Sequence, residues 1–260
     1  MRRAILAGAG LLPELLLETG PDLVVRFAGD TRDTGAVAVL DARIEQLGAL
    51  FTALKARGIT ELCLAGAMGR PALDPAAFDA VTMALLPRLG AAFQQGDDSL
   101  AREVIAMLEE QGFTLRAAHE LRPDLVATGA DLAGTPGKAQ LADAARARAV
   151  LAALGPLDVG QGAVAARGQL LGIETLQGTD AMLDFVAETR PGSGGVLVKR
   201  PKPGQDLRVD MPAIGPATVA AAAAAGLSGI EIAEGGVLLL DRAATLETAA
   251  AAGLALWAAP

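Results

Sequence analysis

Between Lys199 and Asp210 the chain sets four cations (Lys199, Arg200, Lys202, Arg208) and two carboxylates (Asp206, Asp210) on twelve positions. The twenty residues that follow, Met211 to Ile230, carry no charge. Pro201, Pro203 and Gly204 forbid a regular helix across the charged part. One reading is a solvated loop. The other is an anion clamp, because prolines that stiffen a loop lower the entropy lost when its cations grip a phosphate. On that reading Lys199, Lys202 and Arg208 hold a diphosphate. Asp210, between Val209 and Met211, is expected to be partly buried, where a carboxylate is costly unless paired or metal-bound. It then binds Mg²⁺ or orients a water. The outline is phosphoryl transfer or pyrophosphate hydrolysis.

Three further stretches are candidates for ligand contact. "AGAGLLP" (7–13) reads as a turn between a strand and a helix, with Gly8 and Gly10 placed to let backbone approach a phosphate and Gly10 and Leu11 as candidate substrate contacts. Pro13 stands where the dinucleotide fingerprint needs a third glycine, and Asp30 lies about where a ribose-binding acid would. "DVGQGAV" (158–164) puts Gly160 and Gly162 around Gln161, a turn whose backbone can come close to a ligand. "GTDAML" (178–183) places Thr179 and Asp180 at a helix start, either as a cap with an acid in the first turn or as a helix N-terminus aimed at a phosphate. "GAMGRP" (66–71) follows another strand and falls on the same carboxyl edge as the first turn.

Composition removes other chemistries. The chain has a single histidine, His119, in an apparent strand, and a single cysteine, Cys63, in an apolar one; both read as packing residues. Triad and Cys-His catalysis lack their parts, and there is no His/Cys cluster for zinc. A net charge of −8 and 3% aromatics exclude a nucleic-acid binder. With 52% apolar residues a buried core is expected, and one cysteine fits a reducing compartment. Glu14 interrupts the apolar run after Arg2 and Arg3, so the start reads as strand, turn and helix rather than a secretory signal. The expected location is cytoplasmic.

These residues need elements to hold them. Short apolar strands at 3–8, 22–29, 36–40, 61–65 and 113–121 alternate with helices at 13–20, 43–58, 76–94 and 98–111, the last with Asp97 and Asp98 as N-cap candidates. The alternation implies an α/β domain with a mostly parallel, Rossmann-like sheet. Residues 121–138 are rich in Pro, Gly, Thr and Asp and mark a boundary, giving domains 1–130 and 131–260. The second domain is also α/β: a helix at 138–154, paired strands across 162–175 turning at Gly168, a helix at 178–189, the strand "GVLVK", an alanine-rich helix at 216–225, strands at 229–233 and 236–240, then a last helix and "LALWA".

Taken together, the motifs resemble a known family. "KPGQDLRVDMPAIGPATV", "LDVGQGAV" and "GTDAML" are similar to the three C-terminal signatures of LpxI-type UDP-2,3-diacylglucosamine pyrophosphatases, and "AGAGLLPELL", "AGAMGRP" and "GDDSL" to their N-terminal landmarks. The resemblance runs nearly end to end. It implies a Mg²⁺-dependent enzyme of lipid A biosynthesis that splits UDP-2,3-diacylglucosamine into UMP and 2,3-diacylglucosamine 1-phosphate (lipid X), with water attacking the sugar-side phosphorus. It also implies two α/β domains with the substrate between them, the essential aspartate falling on Asp210, and weak peripheral contact with the cytoplasmic face of the inner membrane. Gln161, Gly162, Thr179, Asp180 and Gln205 are expected polar contacts to substrate, and a homo-oligomer is compatible with the sequence. Three positions depart from the family pattern: Ala9 interrupts a glycine triplet, Ala67 replaces Asn, and Gln177 replaces Glu. The rivals are a Rossmann-type NAD(P) oxidoreductase and a UDP-sugar or lipid carrier without chemistry.

Overall fold

The structure, a computed structural model, describes residues 1–27, 29–68, 73–129 and 131–260. Gly69, Arg70 and Pro71 of the "GAMGRP" turn, and Ala130 in the boundary stretch, lie outside the described residues. The chain forms two compact units: residues 1–123 with 208–210, and residues 124–207 with 211–260.

The first unit contains β1 (Arg2–Ala7), α1 (Leu12–Leu17), β2 (Leu23–Phe27), β3 (Ala38–Ala42), α2 (Leu47–Ala56), β4 (Ile59–Ala65), α3 (Ala80–Phe93), α4 (Asp97–Glu110), β5 (Thr114–Leu115) and α5 (Ala118–Leu121). Its five strands are all parallel, in the order β3-β2-β1-β4-β5. Ala4, Ile5 and Leu6 are buried in succession, as a strand covered on both faces requires. Leu50, Phe51 and Leu54 of α2 and Leu108 of α4 pack on this sheet with Leu62 and Phe113. Cys63 is fully buried in β4, and burial pushes its thiol up to about 12, which leaves it inert.

Two local expectations are corrected. Residues 113–121 do not form one strand: after Thr114–Leu115 the backbone turns into α5, so His119 lies on a short helix. The cause is Glu120, which accepts from the Ala117 N–H at 3.0 Å and is held by Arg116 at 2.9 Å, capping a turn that contains no β-branched residue. Asp97 and Asp98 are not N-caps. Gly96, at φ 112°, occupies that position, and both acids fall in the first turn, where Asp98 pairs with Arg102 at 2.6 Å. Asp79 does cap α3, accepting from the Thr82 N–H at 2.7 Å.

Ahead of α2, Glu45 is buried and accepts from Arg43 and from the Asp74 N–H, each at 3.2 Å. The Arg43 guanidinium, with the backbone donors, holds its carboxyl at about 2, below the ordinary 4.5. The folded state therefore prefers ionised Glu45. The stability this adds is complete above the unfolded value and is lost as pH falls through about 2. Glu45→Gln is expected to unfold more readily than the parent at pH 7 and to converge with it near pH 2, read by circular dichroism during acid titration. Parallel curves across that range would contradict the assignment.

The second unit contains β6 (Asp131–Ala133), α6 (Lys138–Leu154), β7 (Gly162–Ala166), β8 (Gln169–Ile173), α7 (Gly178–Thr189), β9 (Val196–Lys199), β10 (Ala213–Ile214), α8 (Pro216–Ala224), β11 (Gly229–Ala233), β12 (Leu238–Leu239), α9 (Arg242–Ala251) and β13 (Ala255–Ala259). Its main sheet is mixed, in the order β6-β13-β11-β9-β7-β8. β13, β11 and β9 are parallel, and β6, β7 and β8 each run antiparallel to their neighbours. The β7–β8 hairpin turns on Arg167 and Gly168, both at positive φ, as a two-residue hairpin loop demands. β12 leaves this sheet to pair with β10, and neither β6 nor β10 was foreseen from the sequence. Val164, Leu197, Ile230, Ile232 and Leu256 centre the core. Among the described residues no helix is long and apolar enough to cross a membrane.

Candidate functional site

In the first unit, the turns after β1 and β4 lie at the carboxyl edge, where the strand order reverses and doubly wound sheets bind ligands. Gly8 N–H donates to the Ala65 carbonyl at 2.7 Å, and Ala9 and Ala67 exchange backbone hydrogen bonds at 2.7 and 2.9 Å. The two loops come so close that a Cβ on Gly8 would stand 2.5 Å from the Ala67 carbonyl oxygen. Gly10 is exposed at φ 93° with open space around it, and Leu11 precedes α1, a helix of six residues. Asp30 is engaged by Arg32, through its backbone N–H at 2.9 Å and its guanidinium at 2.7 Å. Burial alone would raise the Asp30 carboxyl, but these Arg32 donors outweigh it and hold the carboxyl low. The same guanidinium donates to the Gly8 carbonyl at 2.5 Å, tying β2's loop to the glycine turn.

Arg208, Val209 and Asp210 also pack with the first unit. Val209 is partly buried against its core, and Arg208 pairs with Glu109 at 2.9 Å in a half-exposed bridge. Asp210 is half-buried, as its apolar neighbours lead one to expect.

The second unit gathers the other nominated residues, Asp180 apart, into one cluster. Lys199, the last residue of β9, is 5% exposed, and its Nζ reaches Glu174 Oε1 at 3.3 Å and Oε2 at 3.2 Å. It also donates to Thr179 Oγ1 in the first turn of α7. Lys199 is thus a buried, paired cation. Asp180, one residue on, is exposed, and α7 begins at Gly178 after Gln177 with no side-chain cap, so Thr179 is not the N-cap. Lys202 Nζ pairs with Asp158, and the Lys202 N–H donates to Gln205 Oε1 at 2.8 Å. Gln205 Nε2 in turn donates to Gln161 Oε1 at 3.2 Å, while the Gln161 carbonyl accepts from the Arg200 N–H at 3.0 Å. Pro203 packs against Gly155, where a Cβ would come within 2.5 Å of the ring.

Two of these residues were not nominated from sequence: Asp158 and Glu174. Glu174 is 7% exposed, and it explains the glycines opposite it. A Cβ on Gly160 would meet the Glu174 carbonyl oxygen at 2.0 Å, and one on Gly162 would meet Glu174 Oε2 at 2.3 Å. The signal was present: glycines two apart share one face of an extended segment, and such a pair marks a close approach by something on that face. Asp158 holds a left-handed backbone at φ 55°, which costs a non-glycine residue about 1 kcal/mol or more.

Family models match both halves of the chain: the LpxI N-terminal domain over residues 2–125 and the LpxI C-terminal domain over residues 128–257. The chain belongs to the LpxI family. A curated LpxI from Caulobacter vibrioides, named UDP-2,3-diacylglucosamine pyrophosphatase, is 39% identical over 222 residues, which cover 82% of this chain and 79% of that protein. In this LpxI chain, all three C-terminal signatures contribute a side chain to the cluster, through Asp158 and Gln161, through Thr179, and through Lys202 and Gln205.

Proposed function

We propose that the protein hydrolyses the pyrophosphate bond of UDP-2,3-diacylglucosamine, releasing UMP and 2,3-diacylglucosamine 1-phosphate for lipid A biosynthesis. The observation that carries this reading is the convergence of three separate motifs on the Lys199–Glu174–Thr179 and Lys202–Asp158–Gln205–Gln161 network, in a chain with an LpxI pyrophosphatase relative. Lysine ammoniums and amide side chains suit a diphosphate and the polar groups around it. In this reading Lys199, Lys202, Gln205, Gln161, Gly162, Thr179 and Asp180 contact the polar part of the substrate, and Gly10, Leu11 and Arg208 are the candidate contacts that the first unit carries.

Asp210 activates the attacking water or supplies a metal ligand. Among the described residues no three His, Cys, Asp or Glu side chains stand close enough to cage a metal ion. Mg²⁺ is commonly held by one or two carboxylates together with substrate phosphates rather than by a protein cage. Asp210 is the residue that would hold it. The ion, when bound, would neutralise charge on the pyrophosphate. The lipid substrate places the protein in transient contact with the cytoplasmic face of the inner membrane.

The test is incubation with UDP-2,3-diacylglucosamine and Mg²⁺ in H₂¹⁸O. UMP should form, and the label should enter the sugar 1-phosphate, because water attacks the phosphorus on that side. Label in UMP would reverse the attacked phosphorus, and binding without UMP would favour a carrier.

A further inference from the structure

We infer that Glu174 is the positioning residue for substrate, fixing the Lys199 ammonium at the head of α7. The inference rests on the pyrophosphatase reading and adds to it a residue that the motifs did not nominate. Three observations carry it. First, the pair is buried on both sides, Lys199 at 5% and Glu174 at 7% exposure. A buried ion pair adds little stability over a well-packed apolar pair of the same size, so stability does not account for its presence.

Second, Gly162 has no room for a Cβ because the Glu174 carboxylate fills the space, and Gly160 has none because the Glu174 backbone carbonyl does. The Glu174 N–H also donates to the Gly162 carbonyl at 2.8 Å. Gly162 therefore seats the acid itself, and Gly160 seats the backbone that carries it. Third, both Glu174 oxygens stand at nearly equal distance from Nζ, 3.3 and 3.2 Å, while Thr179 Oγ1 accepts from the same nitrogen. The ammonium is held from two directions, at the last residue of β9, which runs parallel to β11 and antiparallel to β7, and within the first turn of a twelve-residue helix. That is where the helix dipole favours an anion.

The experiment compares three proteins for UMP release from UDP-2,3-diacylglucosamine: the parent, Glu174→Gln, and the double variant Glu174→Met with Lys199→Met. Glu174→Gln keeps the volume and a hydrogen-bond acceptor but removes the charge that fixes Nζ. It is expected to raise KM by about tenfold with kcat little changed, the pattern of lost ground-state binding. The double variant removes the pair without stranding a charge. It is expected to fold, by thermal unfolding, and to raise KM by about 10- to 100-fold. A folded double variant with the parent's KM would overturn the inference, since the pair would then be packing alone. Should the double variant not fold, a parental KM in Glu174→Gln overturns it equally. A parent protein that releases no UMP would instead sink the pyrophosphatase reading on which the inference stands.

Discussion

Asp210→Ala is expected to lose UMP release by about 100- to 10,000-fold while its thermal unfolding stays near that of the parent. The argument starts from position. Asp210 is half-buried at the end of a charged stretch, and the next twenty residues offer no other charge to do its work. Removing a carboxylate that takes a proton from water, or that shares a metal with the pyrophosphate, removes an interaction made in the transition state. The loss should therefore fall on kcat and on kcat/KM together. Asp210→Asn separates charge from shape and should be nearly as impaired. Near-parental turnover by either variant would remove Asp210 from the chemistry.

The second large effect is on stability. Glu174→Ala leaves the Lys199 ammonium buried against the Thr179 hydroxyl, without the carboxylate that balances its charge. Breaking a buried pair from one side typically costs about 3–5 kcal/mol, a large share of the stability of an ordinary domain. Glu174→Ala should therefore shift the urea midpoint far below that of the parent, whereas the Met–Met double variant should recover most of the difference. Equal midpoints for Glu174→Ala and the parent would mean that Lys199 finds another partner or escapes to water.

Much of this architecture was legible because its signals were local. α6 and α7 start and stop at the residues the sequence marked, each opening beside a glycine, Gly137 before α6 and Gly178 at the start of α7. The Gly168 hairpin was legible because only certain residues accept its backbone. The errors came where a side chain far from the segment, or a turn of the backbone, decided the outcome. His119 was read into a strand, but Glu120 turned the chain into a helix. β6 and β10 are three and two residues long, too short for any alternation to appear.

The site divides the same way. Lys199, Lys202, Gln161, Thr179 and Gln205 were nominated by type and motif, and they do come together. Their partners were not foreseen. Glu174 was not nominated, and its close approach to Gly162 is what reveals it as a buried group. Lys199, read as a cation offered to substrate, is already bound to that acid, a pairing across 25 positions of sequence that composition cannot disclose.

The reciprocal Ala9–Ala67 bonds carry one more implication. The rim of the glycine turn is stitched by peptide groups, which every residue except proline supplies in full. Its shape can therefore survive drift in side-chain identity at both positions, and the alanine at position 67 leaves that seam intact.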